Sequence, residues 1–308
     1  MDDLPLVHDG RNEIVVQRGH RNAYDHALRA AGGVMVEVGY LGSPGAGCHY
    51  DWQIEAAITP QTIAVACPIM DTPGTVSLPE VAEVAHRHGL PVIVDAAAGL
   101  PPRANLRRYL AEGADLVAFS GGKAIGGPQG SGLLVGRRDL IESARLQMLD
   151  MDVYPQVWRA GREALKSGRL PGPPHHGIGR ACKVGKEQAV GLLVALEQYL
   201  AHDEAAELAA QAARVYRLAE ALDGLRGVRC NLSRPAGGVP KAEVWIDHEL
   251  LGMSAFDVIE ALETGDPSVC VSQGLAPRGG LVVNPMTLED GEERIVAERI
   301  IAVVRAGS

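Results

Sequence analysis

The sequence predicts an α/β fold with a mostly parallel, doubly wound sheet, followed by a smaller α+β domain. Through the first two hundred residues, short apolar runs of strand length alternate with helical segments. Gly, Pro or polar residues bound each apolar run. Near residue 201 the pattern changes to an Ala-rich helix followed by short strands. We therefore expect a large domain with a connecting long helix over residues 1–200 and a small domain over residues 201–308.

The large domain has six predicted strands, at Glu13–Gln17, Val34–Val38, Thr62–Cys67, Val92–Val94, Leu116–Phe119 and Gly132–Gly136. Predicted helices lie at Asn22–Ala31, Trp52–Ile58, Leu78–His88, Asp139–Met148, Tyr154–Lys166 and from Lys183 to Leu200, with one more between the fourth and fifth strands. This alternation implies right-handed parallel crossovers and helices on both faces of the sheet.

The small domain is predicted to be a compact α+β unit. Its helices are Glu204–Leu222, Ala255–Glu263 and a final helix that ends near Arg305. Its strands are predicted near Val228–Leu232, Glu243–Ile246, Val269–Ser272 and Leu281–Val283.

Composition excludes several classes of protein. The 308 residues carry a net charge of −9, so a broad basic surface for tRNA is not evident. The five cysteines form no CxxC pair, and an odd count without a signal peptide points to the reducing cytoplasm. No run approaches the roughly 20 apolar residues of a membrane span. No metal site is expected.

An acid and a lysine stand at the ends of two neighbouring predicted strands. Asp95 follows Val92–Val94, and Lys123 lies just past Leu116–Phe119. Ligands of open parallel sheets bind beyond the carboxyl ends of the strands, so both side chains should face one crevice. Such a pair suits pyridoxal 5'-phosphate, because the amine forms a Schiff base with the aldehyde and the acid pairs with the pyridine nitrogen.

The ordinary alternatives are a loop aspartate and a solvated lysine. The small residues around Lys123 favour the functional interpretation, since four glycines follow it within nine residues and would let backbone approach a ligand or a neighbouring subunit closely. Ser120, three residues before the lysine, offers a hydroxyl for a phosphate oxygen.

Several other side chains have more than one possible role. His20 follows the first strand and would stack on the cofactor ring, relay a proton or simply cap a helix. Arg21, Arg180 and Arg278 are candidate ligands for a substrate carboxylate or phosphate, and each is also an ordinary loop or turn arginine. The adjacent pair His175-His176 is more typical of a loop at the mouth of a site than of a metal ligand set.

The lysine segment resembles a known family. AFSGGKAIGGPQGSGLLVGR (Ala118–Arg137) is similar to the signature of pyridoxal phosphate-dependent selenocysteine synthases. Three further segments resemble the D-glucosaminate-6-phosphate ammonia-lyase-like members of that family, namely QRGHRNAYDHA (Gln17–Ala27), GIGR with KVGKE (Gly177–Glu187) and VVNPMTL (Val282–Leu288). The resemblance covers nearly the whole chain.

The resemblance implies the fold type I architecture of pyridoxal phosphate enzymes, with an antiparallel last strand at Gly132–Gly136. It implies that Lys123 is the Schiff-base lysine, Asp95 the pyridinium partner and Ser120 a phosphate ligand. It also implies at least a homodimer. Relatives carry an earlier segment with a phosphate-gripping Gly/Ser-rich loop. No such loop precedes Glu13, so we expect a shortened start or an incomplete phosphate site.

Three functions are compatible with these features. The first is a lyase of amino acid metabolism that removes a β-hydroxyl and the amino group from a hydroxylated amino acid, with D-glucosaminate 6-phosphate as a candidate small-molecule substrate. The second is β-replacement on seryl-tRNA(Sec), which the acidic charge disfavours. The third is a catalytically impaired relative that persists as a structural subunit.

Overall fold

The computed structural model describes residues 4–40, 50–70, 72–149, 153–174, 177–234 and 238–307. The chain folds as two compact units. The first comprises Met1–Leu100 and Ala104–Leu200, and the second comprises Pro101–Arg103 and Ala201–Ser308. His175 and His176 lie outside the described residues.

The first unit is built on a six-stranded sheet. Its strands are β1 (Glu13–Gln17), β2 (Val34–Val38), β3 (Thr62–Ala66), β4 (Val92–Asp95), β5 (Leu116–Ser120) and β6 (Gly132–Gly136). Their order is β2-β1-β3-β4-β5-β6, and every neighbouring pair is parallel except β5 and β6. The mostly parallel sheet and its antiparallel last strand confirm the predicted fold class.

Helices lie between the parallel strands and after β6. They are α1 (His26–Ala30), α2 (Asp51–Ala56), α3 (Leu78–Arg87), α4 (Asn105–Ala111), α5 (Arg138–Gln147), α6 (Arg162–Lys166) and α7 (Lys186–Ala201). Val15 and Val65 of the sheet pack with Val81 of α3 in one core. The alternate residue Ile14 belongs to a separate cluster with Leu28 of α1. Both faces of the sheet are therefore covered, as expected from strand alternation.

Two helix predictions differ from the structure. A 3-10 turn, Ala23–Asp25, replaces the start of the first predicted helix, because Asn22 caps that turn through the Tyr24 N–H at 2.8 Å. Only α6 forms within the predicted helix 154–166. Gly161 is the N-cap residue of α6, and the buried Trp158 ring lies against Gly161 where a side chain would stand. Glycine is a poor helix former, so the chain turns there instead of continuing a helix.

The second unit is a three-stranded antiparallel sheet with helices. Its strands are β7 (Val228–Ser233), β8 (Lys241–Ile246) and β9 (Gly280–Val283), in the order β7-β8-β9. Its helices are α8 (Glu204–Leu222), α9 (His248–Leu251), α10 (Ala255–Glu263) and α11 (Glu292–Ala306). Leu218, Leu262 and Ile300, one from each long helix, are fully buried against Val244 of β8.

The predicted strand at Val269–Ser272 was wrong. The Val269 N–H donates to the Leu262 carbonyl of α10 at 2.9 Å, so the chain follows the helix end rather than the sheet. Only Ser272 forms an isolated bridge, with Val282. In the part of the chain that the structure describes, no helix is both long and apolar enough to span a membrane.

Candidate active site

The carboxyl ends of four adjacent parallel strands bring the predicted site residues to one edge of the sheet. Asp95 at the end of β4 pairs with Ala118 of β5, and Val16 of β1 pairs with Ala66 of β3. The segments that follow β1, β3, β4 and β5 therefore leave the sheet side by side. They carry His20, Cys67, Asp95 and Lys123.

Asp95 is held in a defined orientation. Its Oδ1 accepts a hydrogen bond from the Ala97 N–H at 2.9 Å, and the side chain is half-buried. Within the described residues, Oδ2 has no hydrogen-bond partner. A carboxylate that is fixed through one oxygen can accept a hydrogen bond from a protonated ring nitrogen at its other oxygen.

The lysine loop is braced by its own backbone. The Gly121 N–H donates to the Ser131 carbonyl at 2.9 Å, the Gly127 N–H donates to the Gly121 carbonyl at 2.7 Å, and the Gly126 N–H donates to the Lys123 carbonyl at 2.8 Å. Ser120, half-buried, ends β5 opposite Gly132. These bonds close a compact loop that presents Lys123 to solvent.

Close packing explains two glycines near Lys123. A Cβ on Gly122 would lie 2.7 Å from Gln129 Cα, closer than real side chains come. A Cβ on Gly191 of α7 would lie 2.8 Å from the Pro128 ring. Ile125 of the loop is buried with Leu192 and other residues of α7. Gly122 and Gly191 thus let the loop pack on itself and on α7. Gly126 and Gly130, two of the four glycines that follow Lys123, have open space where a Cβ would stand, so the approach of a ligand or subunit there stays a prediction.

His20 is a buried histidine with an open nitrogen. Its side chain is 4% exposed, and its Nδ1 has no hydrogen-bond partner among the described residues. Burial lowers the pKa of His20 below its usual value, so the ring is neutral at neutral pH. The Asn22 amide donates to the His20 carbonyl at 3.1 Å and fixes the turn. A polar atom this deeply buried with no partner among the described residues is rare in folded proteins, and a bound ligand is one partner that would satisfy it.

Tyr24, which belongs to the predicted helix Asn22–Ala31, lies beside the lysine. The Lys123 Nζ is 6.0 Å from the centroid of the Tyr24 ring. A local signal for the observed turn is Asn22, because an Asn side chain can accept from the backbone N–H two residues on and form a turn in place of a continuous helix.

Cys67 ends the β3 segment as a buried thiol. Burial, with a smaller effect from the charge of Glu112, raises its pKa to about 12. The thiol therefore stays protonated at neutral pH and cannot serve as a nucleophile at this edge.

The three predicted arginines occupy different settings. The Arg21 guanidinium is bound to the buried Asp25 and to Glu37. Arg180 lies half-buried in a 3-10 turn, Ile178–Cys182, whose neighbouring glycines pack on the end of α5. Arg278 belongs to the second unit, with its guanidinium carbon 5.7 Å from the Trp245 ring centroid. The contacts of Arg21 give it a structural role, and substrate binding by all three stays a prediction.

Comparisons with known proteins match this chain to one family model and to two relatives over most of its length. The family model for L-seryl-tRNA selenium transferase (SelA) matches residues 27–153. A 5'-C-glycyluridine monooxygenase-decarboxylase from Streptomyces sp. is 32% identical over 305 residues, which cover 95% of this chain and 67% of that protein. D-glucosaminate-6-phosphate ammonia lyase from Salmonella typhimurium (strain 14028s / SGSC 2262) is 30% identical over 298 residues, 94% of this chain and 70% of that protein.

The chain belongs to the SelA family. A solved structure of D-glucosaminate-6-phosphate ammonia-lyase matches with a TM-score of 0.70 and 29% identity, over 96% of this chain and 72% of that one. The resemblance inferred from the sequence motifs is confirmed. This SelA family member is an enzyme of the pyridoxal phosphate-dependent lyase and transferase kind.

Members of the SelA family use pyridoxal phosphate, and the described residues fit that group. The exposed Lys123 amine, the open Asp95 oxygen and the orphaned His20 nitrogen lie along one edge of the sheet. The Lys123 amine can react with the cofactor aldehyde, and the Asp95 carboxylate can pair with the ring nitrogen. The His20 Nδ1 is a buried polar atom that has no partner among the described residues. The predicted assignment of each residue stays open to test.

Proposed function

We propose that this SelA family member is a lyase that acts on a small hydroxylated amino acid. The reaction breaks the Cα–H and Cβ–O bonds and expels the β-hydroxyl as water. The enamine that remains becomes an imine, which a second water hydrolyses to ammonia and a 2-keto-3-deoxy acid. D-glucosaminate 6-phosphate is the first candidate substrate, because the Salmonella relative aligned over 94% of this chain is named for it. The observation that carries the proposal is the placement of Lys123 and Asp95 on adjacent strand ends.

Each residue has a proposed task. The bound cofactor would supply an electron sink for the α-carbon. Asp95 would hold the proton on the ring nitrogen, and the Ser120 hydroxyl would donate to the phosphate. Lys123 would hold the cofactor through its amine, and its Nζ would take the α-proton of the substrate. His20, kept neutral by burial, would lie against the cofactor or relay a proton.

A second candidate is selenocysteine synthesis by β-replacement on seryl-tRNA. The match of residues 27–153 to the selenium transferase model supports it. The net charge of −9 weighs against a tRNA-binding surface. A salt-dependent gel shift with the tRNA would separate the two candidates, and we expect no shift.

The assembly we propose is a homodimer or a higher homo-oligomer. Val190, Leu193 and Val194 of α7 are about half exposed and lie on one face of the helix. A second copy of the chain would bury this face. We also propose a cytoplasmic location, because the five cysteines form no CxxC pair and their number is odd.

The test begins with the visible spectrum of the chain after addition of pyridoxal phosphate. We expect a Schiff-base band that borohydride fixes onto Lys123, and no such product with Lys123→Ala. Absence of the band at saturating cofactor would contradict the proposal and favour the impaired subunit.

Substrate assays then follow 2-keto acid and ammonia from D-glucosaminate 6-phosphate and related hydroxylated amino acids. The Streptomyces relative is named as a monooxygenase-decarboxylase, so oxygen uptake and carbon dioxide are measured in parallel. We expect formation of the keto acid without oxygen uptake and without release of carbon dioxide. Oxygen consumption coupled to carbon dioxide release would replace the lyase proposal with an oxidative one.

A further inference from the structure

The contact between Tyr24 and Lys123 spans the candidate site. Tyr24 follows β1, and Lys123 follows β5. β3 and β4 lie between these two strands, so three strand spacings, about 14 Å, separate their ends. The Lys123 Nζ nevertheless lies 6.0 Å from the centroid of the Tyr24 ring, so the segments that follow β1 and β5 converge at this edge of the sheet.

The Tyr24 side chain is mostly exposed, but its backbone is anchored. The ring is 74% exposed, while the Asn22 side chain accepts from the Tyr24 N–H and donates to the His20 carbonyl. The next residue, Asp25, is buried and bound to Arg21. The Thr72 hydroxyl donates to the Gly19 carbonyl at 3.2 Å and joins this turn to the segment after β3. The ring is therefore held at this place by its turn and not by its own packing.

We propose that Tyr24 is a positioning residue for Lys123, with its ring face receiving the lysine ammonium. A cation within about 6 Å of an aromatic centroid is attracted to the ring. This inference rests on the proposed function, in which Lys123 becomes an ammonium when it has taken the α-proton. The ring stabilises that charged form and keeps the amine beside the ring between the steps of the reaction.

The test measures the chemical reactivity of Lys123 in the full cofactor-free chain. Trace acetic anhydride competes for all amines, and mass spectrometry gives the labelling of Lys123 relative to Lys186, whose side chain is 89% exposed. Tyr24→Phe retains the ring, and Tyr24→Leu removes it. At pH 8 we expect the labelling ratio to be about two- to fivefold higher in Tyr24→Leu than in Tyr24→Phe, since a ring at an exposed site stabilises an ammonium by that factor.

The pH dependence separates attraction from simple shielding. At pH 11 lysine amines are mostly neutral, so the difference between the two variants should shrink to less than about twofold if attraction to the ammonium is the cause. Equal ratios at pH 8, or a difference that is undiminished at pH 11, would overturn the proposal. Tyr24→Trp offers a stronger π face and should label at or below the wild-type ratio at pH 8. A ratio above wild type in this variant would also overturn it.

Tyr216→Leu is the matched control, because it removes another exposed tyrosine, from α8 of the second unit. Its labelling ratio should equal that of the wild type. The result is independent of the proposed function, since no cofactor or substrate is present. A chain that fails to form the borohydride-fixed product but shows the labelling difference would refute the lyase and retain the Tyr24 contact.

Discussion

At the scale of single residues, the candidate site depends on small side chains as much as on reactive ones. Lys123 and Asp95 are the groups with chemistry, and the backbone around Lys123 determines where the amine lies. Gly122 illustrates this dependence, because a Cβ there would lie 2.7 Å from Gln129 Cα. The neighbour is backbone rather than a flexible side-chain end, so it cannot yield easily.

We expect Gly122→Ala to destabilise the chain by about 1–3 kcal/mol through overpacking. Displacement of the loop should also reduce the yield of the borohydride-fixed Lys123 product at limiting cofactor. Urea unfolding and mass spectrometry of that product measure the two effects.

The matched control is Gly130→Ala in the same loop, where a Cβ would meet no atom within 4 Å. Its unfolding free energy should stay within about 0.5 kcal/mol of the wild type. Equal behaviour of the two variants would show that the close approach at Gly122 has no energetic consequence.

At the scale of elements, a buried carboxylate joins three pieces of the large unit. Asp115 precedes β5 and accepts from the Val92 N–H at 2.8 Å, from His86 Nε2 of α3 at 2.8 Å and from Arg137 Nη1 at 3.1 Å. Burial acts to raise the pKa of Asp115, and these hydrogen bonds outweigh burial, so the pKa is lowered from 3.8. The carboxylate therefore ties β4, α3 and the end of β6 together at the edge opposite the candidate site.

We expect Asp115→Asn to lower the free energy of unfolding by about 1–3 kcal/mol at pH 7. A lowered pKa means that the folded chain favours the ionised carboxylate. Its contribution is complete above the unfolded pKa near 3.8 and is lost as pH falls through the lower folded value. The wild type and the variant should therefore converge in urea titrations below pH 3.8.

Asp139→Asn is the control for this prediction, since Asp139 also binds Arg137 but is mostly exposed, at 60%. An exposed ion pair contributes little, so the variant should differ from wild type by less than about 1 kcal/mol. A gap between wild type and Asp115→Asn that stayed constant down to low pH would contradict the role of the ionised carboxylate.

At the scale of the whole molecule, the two units have separate cores and different sheets. The exposed apolar face of α7 belongs to the helix that supports the lysine loop through Leu192 and Ala195. One side of α7 therefore supports the candidate site, and the other side carries the exposed apolar face that we propose as a subunit interface. This arrangement would couple assembly to the position of Lys123.

We expect Leu193→Glu to shift the chain from an oligomer toward the monomer of 32.5 kDa, because it places a charge in the proposed interface. Light scattering behind size-exclusion chromatography measures the mass. Leu110→Glu, on a 37% exposed leucine of α4, makes the same change elsewhere and should leave the mass unaltered. An unchanged mass for Leu193→Glu would remove α7 from the interface.

The sequence alone predicts the order of the elements and the fold class. Strand runs such as Glu13–Gln17 and Val34–Val38 were predicted with their observed bounds, because apolar period and turn residues are local properties. It also located Asp95 and Lys123, because the end of an apolar run marks the end of a strand in the sequence. Their chemical roles remain predictions.

How these pieces meet becomes visible in the folded structure. The structure places the Lys123 Nζ over the Tyr24 ring, binds Arg21 to Asp25 and Glu37, and turns Val269 toward α10 instead of the sheet. The side-chain contacts depend on how the segments pack. The direction of Val269 depends on which backbone carbonyl its N–H binds. A single sequence carries hydrophobic period and turn signals along the chain, but it does not record the distances between side chains that the sheet brings together.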